Sequence, residues 1–217
     1  MNKALLILDV AHGVNTPGKQ SPDGSFKEYI WSRDFCRSLM NDFFNNLQKG
    51  YDVICPYLNY DKEPGLANRV KLYNSHCFEY KFVLVFPVHV NAASNPAKWW
   101  KSTKKGGGGG VEIWTDRFHD YSDELANEFM DKLIQNSNEE IFRLNAKDDA
   151  SKDANFTVIH GYHKGEEFIK RKYEAMLLES LFMDNEVDIK KLKDLKWNNE
   201  WMKSVGFALD YTMKTQK

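Results

Sequence analysis

Short apolar runs alternate with stretches of helical periodicity along this chain, and that alternation limits the possible folds more than any other feature. Runs bounded by polar loops predict strands at Ala4–Asp9, Asp52–Cys55, Phe82–Val88, Val111–Thr115, Phe156–His160 and Ala175–Glu179. Between the first two, Phe26, Ile30, Trp31, Phe35, Leu39, Phe43 and Leu47 recur at three-to-four spacing, which predicts one long amphipathic helix. Leu66–Tyr80 and Tyr121–Gln135 carry the same signal, and Trp197, Trp201, Val205 and Leu209 stripe a last helix. Strands alternating with helices predict an α/β protein: a three-layer sandwich whose mostly parallel, mixed central sheet of about six strands is flanked by helices. The chain has 217 residues, enough for one sizeable core and short for two. With no internal repeat or interdomain linker, the expectation is a single domain over residues 1–217.

Charge and composition narrow the function classes. Lys and Arg number 30 against 31 Asp and Glu, so the basic excess of a nucleic-acid binder is missing. Runs such as Phe82–Val88 are far too short to span a bilayer. The opening "MNKALLILDVAHG" breaks at Asp9 and reads as a first core strand rather than an export signal. Cys36, Cys55 and Cys77 are widely spaced, odd in number and make no CxxC pair, so free thiols and synthesis in the cytoplasm are expected. Two segments read as loops: Val14–Gly24, with its prolines and glycines, and the basic, aromatic Lys98–Gly110, which ends in five glycines.

Ligands of parallel sheets gather outside the carboxyl ends of the strands. "DVAHG", "PVHVNAAS" and "LLESLF" each lie at such an end. They offer His12, His89 and Glu179, and Glu28 opens the long helix. Two imidazoles and a carboxylate make a common catalytic zinc site that leaves the fourth position to water. Glu179 is flanked by apolar residues, where a carboxylate is costly unless paired or functional, so it is a candidate base. Glu28 has a competing reading. "SFKE" fits a capping box with Ser25 as N-cap, and periodicity alone favours that cap. His160 and His163 form a rival His-x-x-His pair across a Gly-Tyr turn.

Four blocks in order, "LDVAHG", "KEYIWSRDF", "VHVNAAS…GVEIW" and "LLESLFMDNEVDIKKL", resemble the motifs of zinc-dependent N-acetylmuramoyl-L-alanine amidases. These peptidoglycan amidases usually read Asp-x-Gly-His-Gly, a Glu opening the first helix, Ser-x-His-x-Asn, Gly-x-Glu-Val and a late Glu-x-Gly-Phe-x-x-Asn. Val10-Ala11, Pro87 and Ser180-Leu181 depart from those patterns without removing a candidate ligand or base. The resemblance implies one catalytic α/β domain holding one zinc. It assigns ligand roles to His12, Glu28 and His89, overturning the cap at Glu28, and the catalytic carboxylate to Glu179. The implied reaction cleaves the amide between N-acetylmuramic acid and L-alanine; a zinc peptidase and a non-catalytic peptidoglycan-binding relative are the alternatives. Asp9 either orients His12 or merely ends its strand. Asn91 either binds the peptide stem or ties down its loop. Trp99 and Trp100 either stack on sugar faces or pin the long loop to the core. The expected enzyme is a monomer that acts on the cell wall after release or export, as a phage lysin or a bacterial enzyme. It needs no activator.

Overall fold

Seven consecutive buried residues, Ala4–Val10 (β1), form an inner strand of the sheet. Tyr51–Ile54 (β2) and Phe82–Asn91 (β3) flank β1, both parallel to it. A strand covered on both faces needs apolar side chains on both, which is why β1 and β3 read as unbroken apolar runs. The computed structural model describes residues 3–93, 98–101, 109–118, 120–138, 142–144, 151–164 and 167–216.

Leu177–Phe182 (β9) pairs parallel with β3 on the side away from β1. Glu112–Asp116 (β4) pairs antiparallel with β9, and Ser151–Ala154 (β5) lies parallel to β4 at the edge. The strand order is therefore β2-β1-β3-β9-β4-β5, with Glu174–Ala175 (β8) adding a short parallel pairing to β3. Because β4 runs backwards, its first residue, Glu112, lies at the same edge as the carboxyl ends of β1, β3 and β9.

Glu28–Ser38 (α1) packs on β1 and β3 and against Leu195–Thr215 (α6); Tyr121–Asn136 (α3) also packs against α6. Leu66–His76 (α2) contacts Thr157–His160 (α4) and the hairpin of Gly161–Lys164 (β6) with Glu167–Lys170 (β7). Asp188–Leu192 (α5) precedes α6. Among the described residues, no helix is long and apolar enough to cross a membrane.

Three expectations need correction. Phe156–His160 is not a strand: Phe156 caps the short helix α4, and Gly161, at φ +124°, ends it. The strand beside β4 is instead the polar "SKDA" of β5, an edge position with little apolar signal. The strand expected at Ala175–Glu179 is interrupted at Met176 and continues to Phe182. The long first helix is helical throughout but not uniform. After Ser38 it widens into a π-helical turn, Leu39–Phe43, and then tightens into a 3-10 turn, Phe44–Asn46. Phe43 lies there against the backbone of α6, where a Cβ on Gly206 would stand 2.7 Å from its ring.

Candidate active site

β1, α1, β3 and β9 bring four side chains to one edge of the sheet. His12 follows β1, Glu28 is the first residue of α1, His89 lies near the end of β3, and Glu179 pairs in register with His89. His12, Glu28 and His89 can each offer a donor atom such that all three lie within 4.8 Å of one another, the one such group among the described residues. Glu28 is buried between the two rings. Its Oε1 lies 2.9 Å from His89 Nδ1 and its Oε2 lies 3.5 Å from His12 Nε2. The imidazoles meet edge to face, with centroids 5.0 Å apart.

The helix does not begin with a capping box. Lys27 is the N-cap and makes no side-chain cap bond, while Ser25 bonds to Asp23 and accepts from Lys193. The Glu28 carboxylate instead accepts from the backbone N–H of Val90, 3.2 Å away. Burial raises its pKa, but the bond to His89 and the charges of His89 and His12 outweigh that and leave it below the ordinary glutamate value.

One hydroxyl ties together the segments that carry the two histidines. Ser32, one turn beyond Glu28, accepts from the N–H of Ala11 (2.8 Å) and donates to the carbonyl of Val88 (2.7 Å). Those residues immediately precede His12 and His89. His12 itself has φ +50°, a left-handed conformation that is strained for a residue with a side chain. Arg33 holds this turn by donating to the carbonyls of His12 and Tyr60. Asp9 faces Arg69 in a buried ion pair.

Glu179 stands between a histidine and another acid. Its strand neighbours are His89 on β3 and Glu112 on β4. Burial, then the charges of Glu28 and Glu112, push its carboxyl well above the ordinary range. Its Oε2 is buried and finds no hydrogen-bond partner among the described residues. Glu112 is in contrast saturated: Arg143 at 2.5 Å, Lys152 at 2.6 Å, Asn91 at 2.8 Å and the Trp114 indole at 3.2 Å all donate to it. Asn91 thus braces Glu112 with its amide and, through Oδ1, accepts from Ala92 N–H.

A cleft of about 560 Å³ opens onto Glu28, His89 and Glu179, walled by Pro17, Lys19 and Met183 among others. The Val14–Gly24 loop, which reads in sequence only as surface, supplies that wall. Trp99 and Trp100 are both 40% exposed. The Trp100 backbone is anchored on Asp184 and Glu186, just beyond Met183. Residues 102–108 of the Lys98–Gly110 segment lie outside the described residues. His160 donates or accepts at Asp116 Oδ1, 3.0 Å away, with its ring against Phe118 and Phe168. The side chain of His163, its rival partner, lies outside the described set.

Sequence reading missed Glu63, Ser32, Arg33 and Glu112 as parts of this site. Glu63 Oε2 lies 3.7 Å from His12 Nδ1. That imidazole, with help from the Thr16 hydroxyl, holds the Glu63 carboxyl near a pKa of about 2 against the opposing effect of burial. Only Glu112, an acid opening an otherwise apolar strand, left a signal that could have been followed.

Two histidines and a carboxylate suit a borderline-soft divalent cation such as zinc. The donor set therefore fits such a cation, and Glu179 occupies the strand position paired with His89.

The profile of the N-acetylmuramoyl-L-alanine amidase family matches residues 6–211. No curated protein sequence matches the chain. Among solved structures, it is similar to the N-acetylmuramoyl-L-alanine amidase of Clostridium difficile 630, at 18% identity and a TM-score of 0.77 over 100% of both chains. It is also similar to the catalytic domain of the amidase CwlV from Bacillus (Paenibacillus) polymyxa var. colistinus, at 16% identity and 0.70 over 98% and 99% of the two chains. The amidase Ami1 of Mycobacterium smegmatis gives 11% identity and 0.70 over 98% and 97%. At these identities the structural likeness establishes the shared fold.

Proposed function

The chain belongs to the N-acetylmuramoyl-L-alanine amidase family, and from that premise we propose how its residues hydrolyse the amide between N-acetylmuramic acid and L-alanine in peptidoglycan. His12, Glu28 and His89 hold one zinc per chain. Glu179 is the catalytic acid–base group. The observation that carries this reading is the placement of Glu179, whose Oε2 is buried and finds no partner among the described residues, in register with His89, one of the three clustered donors.

When bound, zinc supplies an acidified water and polarises the scissile carbonyl. The remaining work falls to the chain. Glu179 accepts a proton from the attacking water and delivers it to the alanine nitrogen as the C–N bond breaks. Its apolar, acid-flanked setting favours holding the proton between those two events. Asn91 holds Glu112 in place beside Glu179, and the Pro17–Pro22 loop closes one wall around the peptide stem. Trp99 and Trp100, half-exposed, offer faces for the glycan. Residues 1–217 act as one catalytic domain, a monomer that reaches the cell wall after release or export.

Digestion of purified peptidoglycan by the isolated zinc-loaded chain tests this reading. New L-alanine amino termini with no new reducing sugar ends are expected. New amino termini from other stem residues would make it a peptidase, and binding without any product would make it a wall-binding relative. Either outcome overturns the assignment.

A further inference from the structure

Building on the metal-site reading, we propose that Glu63 is the positioning residue of His12, fixing the ring so that Nε2 faces the metal while Nδ1 donates to a carboxylate. The His12 ring lies between two acids. Glu28 Oε2 is 3.5 Å from Nε2 on one side, and Glu63 Oε2 is 3.7 Å from Nδ1 on the other. Nδ1 is buried and has no hydrogen-bond partner among the described residues, so Glu63 is the acceptor in reach of it. A shift of well under an ångström converts that ion-pair distance into a hydrogen bond.

The Glu63 carboxylate is held by one hydroxyl, and the backbone of its loop is anchored separately. The Thr16 hydroxyl donates to Glu63 Oε2 and accepts from the N–H of Gly13. The Glu63 N–H donates to Asn15 Oδ1, and Val14 N–H donates to the carbonyl of Asp61. Gly13 permits the approach: a Cβ there would stand 2.2 Å from the Glu63 nitrogen. The segments 13–16 and 61–63 are thereby stitched together around the turn that carries His12. The Glu63 side chain is 21% exposed, so its contribution is not one of core packing.

A ligating imidazole whose other N–H is held by a carboxylate has a fixed tautomer and orientation and a more basic donor nitrogen; loss of such a partner typically lowers metal affinity ~10–100-fold. The test measures zinc affinity of the full chain by chelator competition, together with the melting temperature of the zinc-free protein. Glu63→Ala should weaken zinc binding ~10–100-fold with the zinc-free melting temperature unchanged. Glu63→Gln, which keeps an acceptor oxygen, should recover most of the affinity. At saturating zinc, KM for peptidoglycan fragments should stay at the wild-type value. Asn15→Ala loosens the same loop without touching the carboxylate and should leave zinc affinity intact. Wild-type affinity in Glu63→Ala overturns the proposal, as does an equal loss in Asn15→Ala, which would make loop anchoring the cause. Glu28→Ala, run in parallel, separates the two readings. If it too binds zinc normally, the metal site itself is wrong; if it alone fails, only the role of Glu63 is.

Discussion

Glu28 illustrates how much a single residue can hide. Its position in "SFKE" satisfies a capping pattern, yet its carboxylate is spent on His89 and Val90. Glu28→Gln should therefore cost most of the zinc affinity while leaving helical circular dichroism unchanged. Ser25→Ala, exposed and not a cap, should change stability by no more than about 0.5 kcal/mol in denaturant unfolding. Glu179→Ala should keep its zinc and lose on the order of 10²–10⁴ in turnover, the usual contribution of a general acid–base group; a near-wild-type rate would remove Glu179 from the mechanism. As candidates, His12, His89 and Glu179 stood out in the sequence because each lies at the carboxyl end of an apolar run, and Glu28 only through the family resemblance. The residues that hold them did not stand out. Glu63 in "DKEPG" has the composition of any solvated loop, and Ser32 and Arg33 look like ordinary polar positions of an amphipathic helix. Their roles depend on groups distant in the sequence, which no local pattern encodes.

Elements were legible where burial is extensive and leaves a regular apolar pattern. The helices at 66–76, 121–136 and 195–215 follow from their apolar stripes, and the buried parallel strands from their unbroken runs. Failures cluster where tertiary contact replaces periodicity. β5 is polar because it is an edge, and α4 is apolar enough to pass for a strand. The π-helical turn at Leu39–Phe43 lies where α6 presents Gly206 to Phe43, whose ring also meets Phe207 edge to face at 5.0 Å. Gly206→Ala should overpack this crossing and destabilise the protein by roughly 1–3 kcal/mol. Because α6 carries none of the proposed ligands, zinc affinity of the folded variant should match the parent.

At the scale of the molecule, the proposed metal ties together β1, α1 and β3, so its removal should be felt globally. At zinc concentrations a hundredfold above Kd, binding to the native state contributes about 2.7 kcal/mol. For a chain of this size each kcal/mol moves the melting temperature by roughly 2–4 °C. Chelation should lower the melting temperature accordingly, and readdition of zinc should restore it. An unchanged melting temperature would mean that the three donors do not bind the ion in the folded state.

The order of the sheet has a further consequence in time. β9 is among the last strands to be synthesised, yet it lies in the centre, between β3 and β4. Chains emerge from the ribosome amino end first, at about 5–20 residues per second. The histidines and Glu28 are thus made early, with the slot beside β3 still empty. The strand that fills the slot also delivers Glu179. Completing the sheet and acquiring the proposed acid–base group are one event, so a growing polypeptide lacks that group until the last fifth of the chain has been reached.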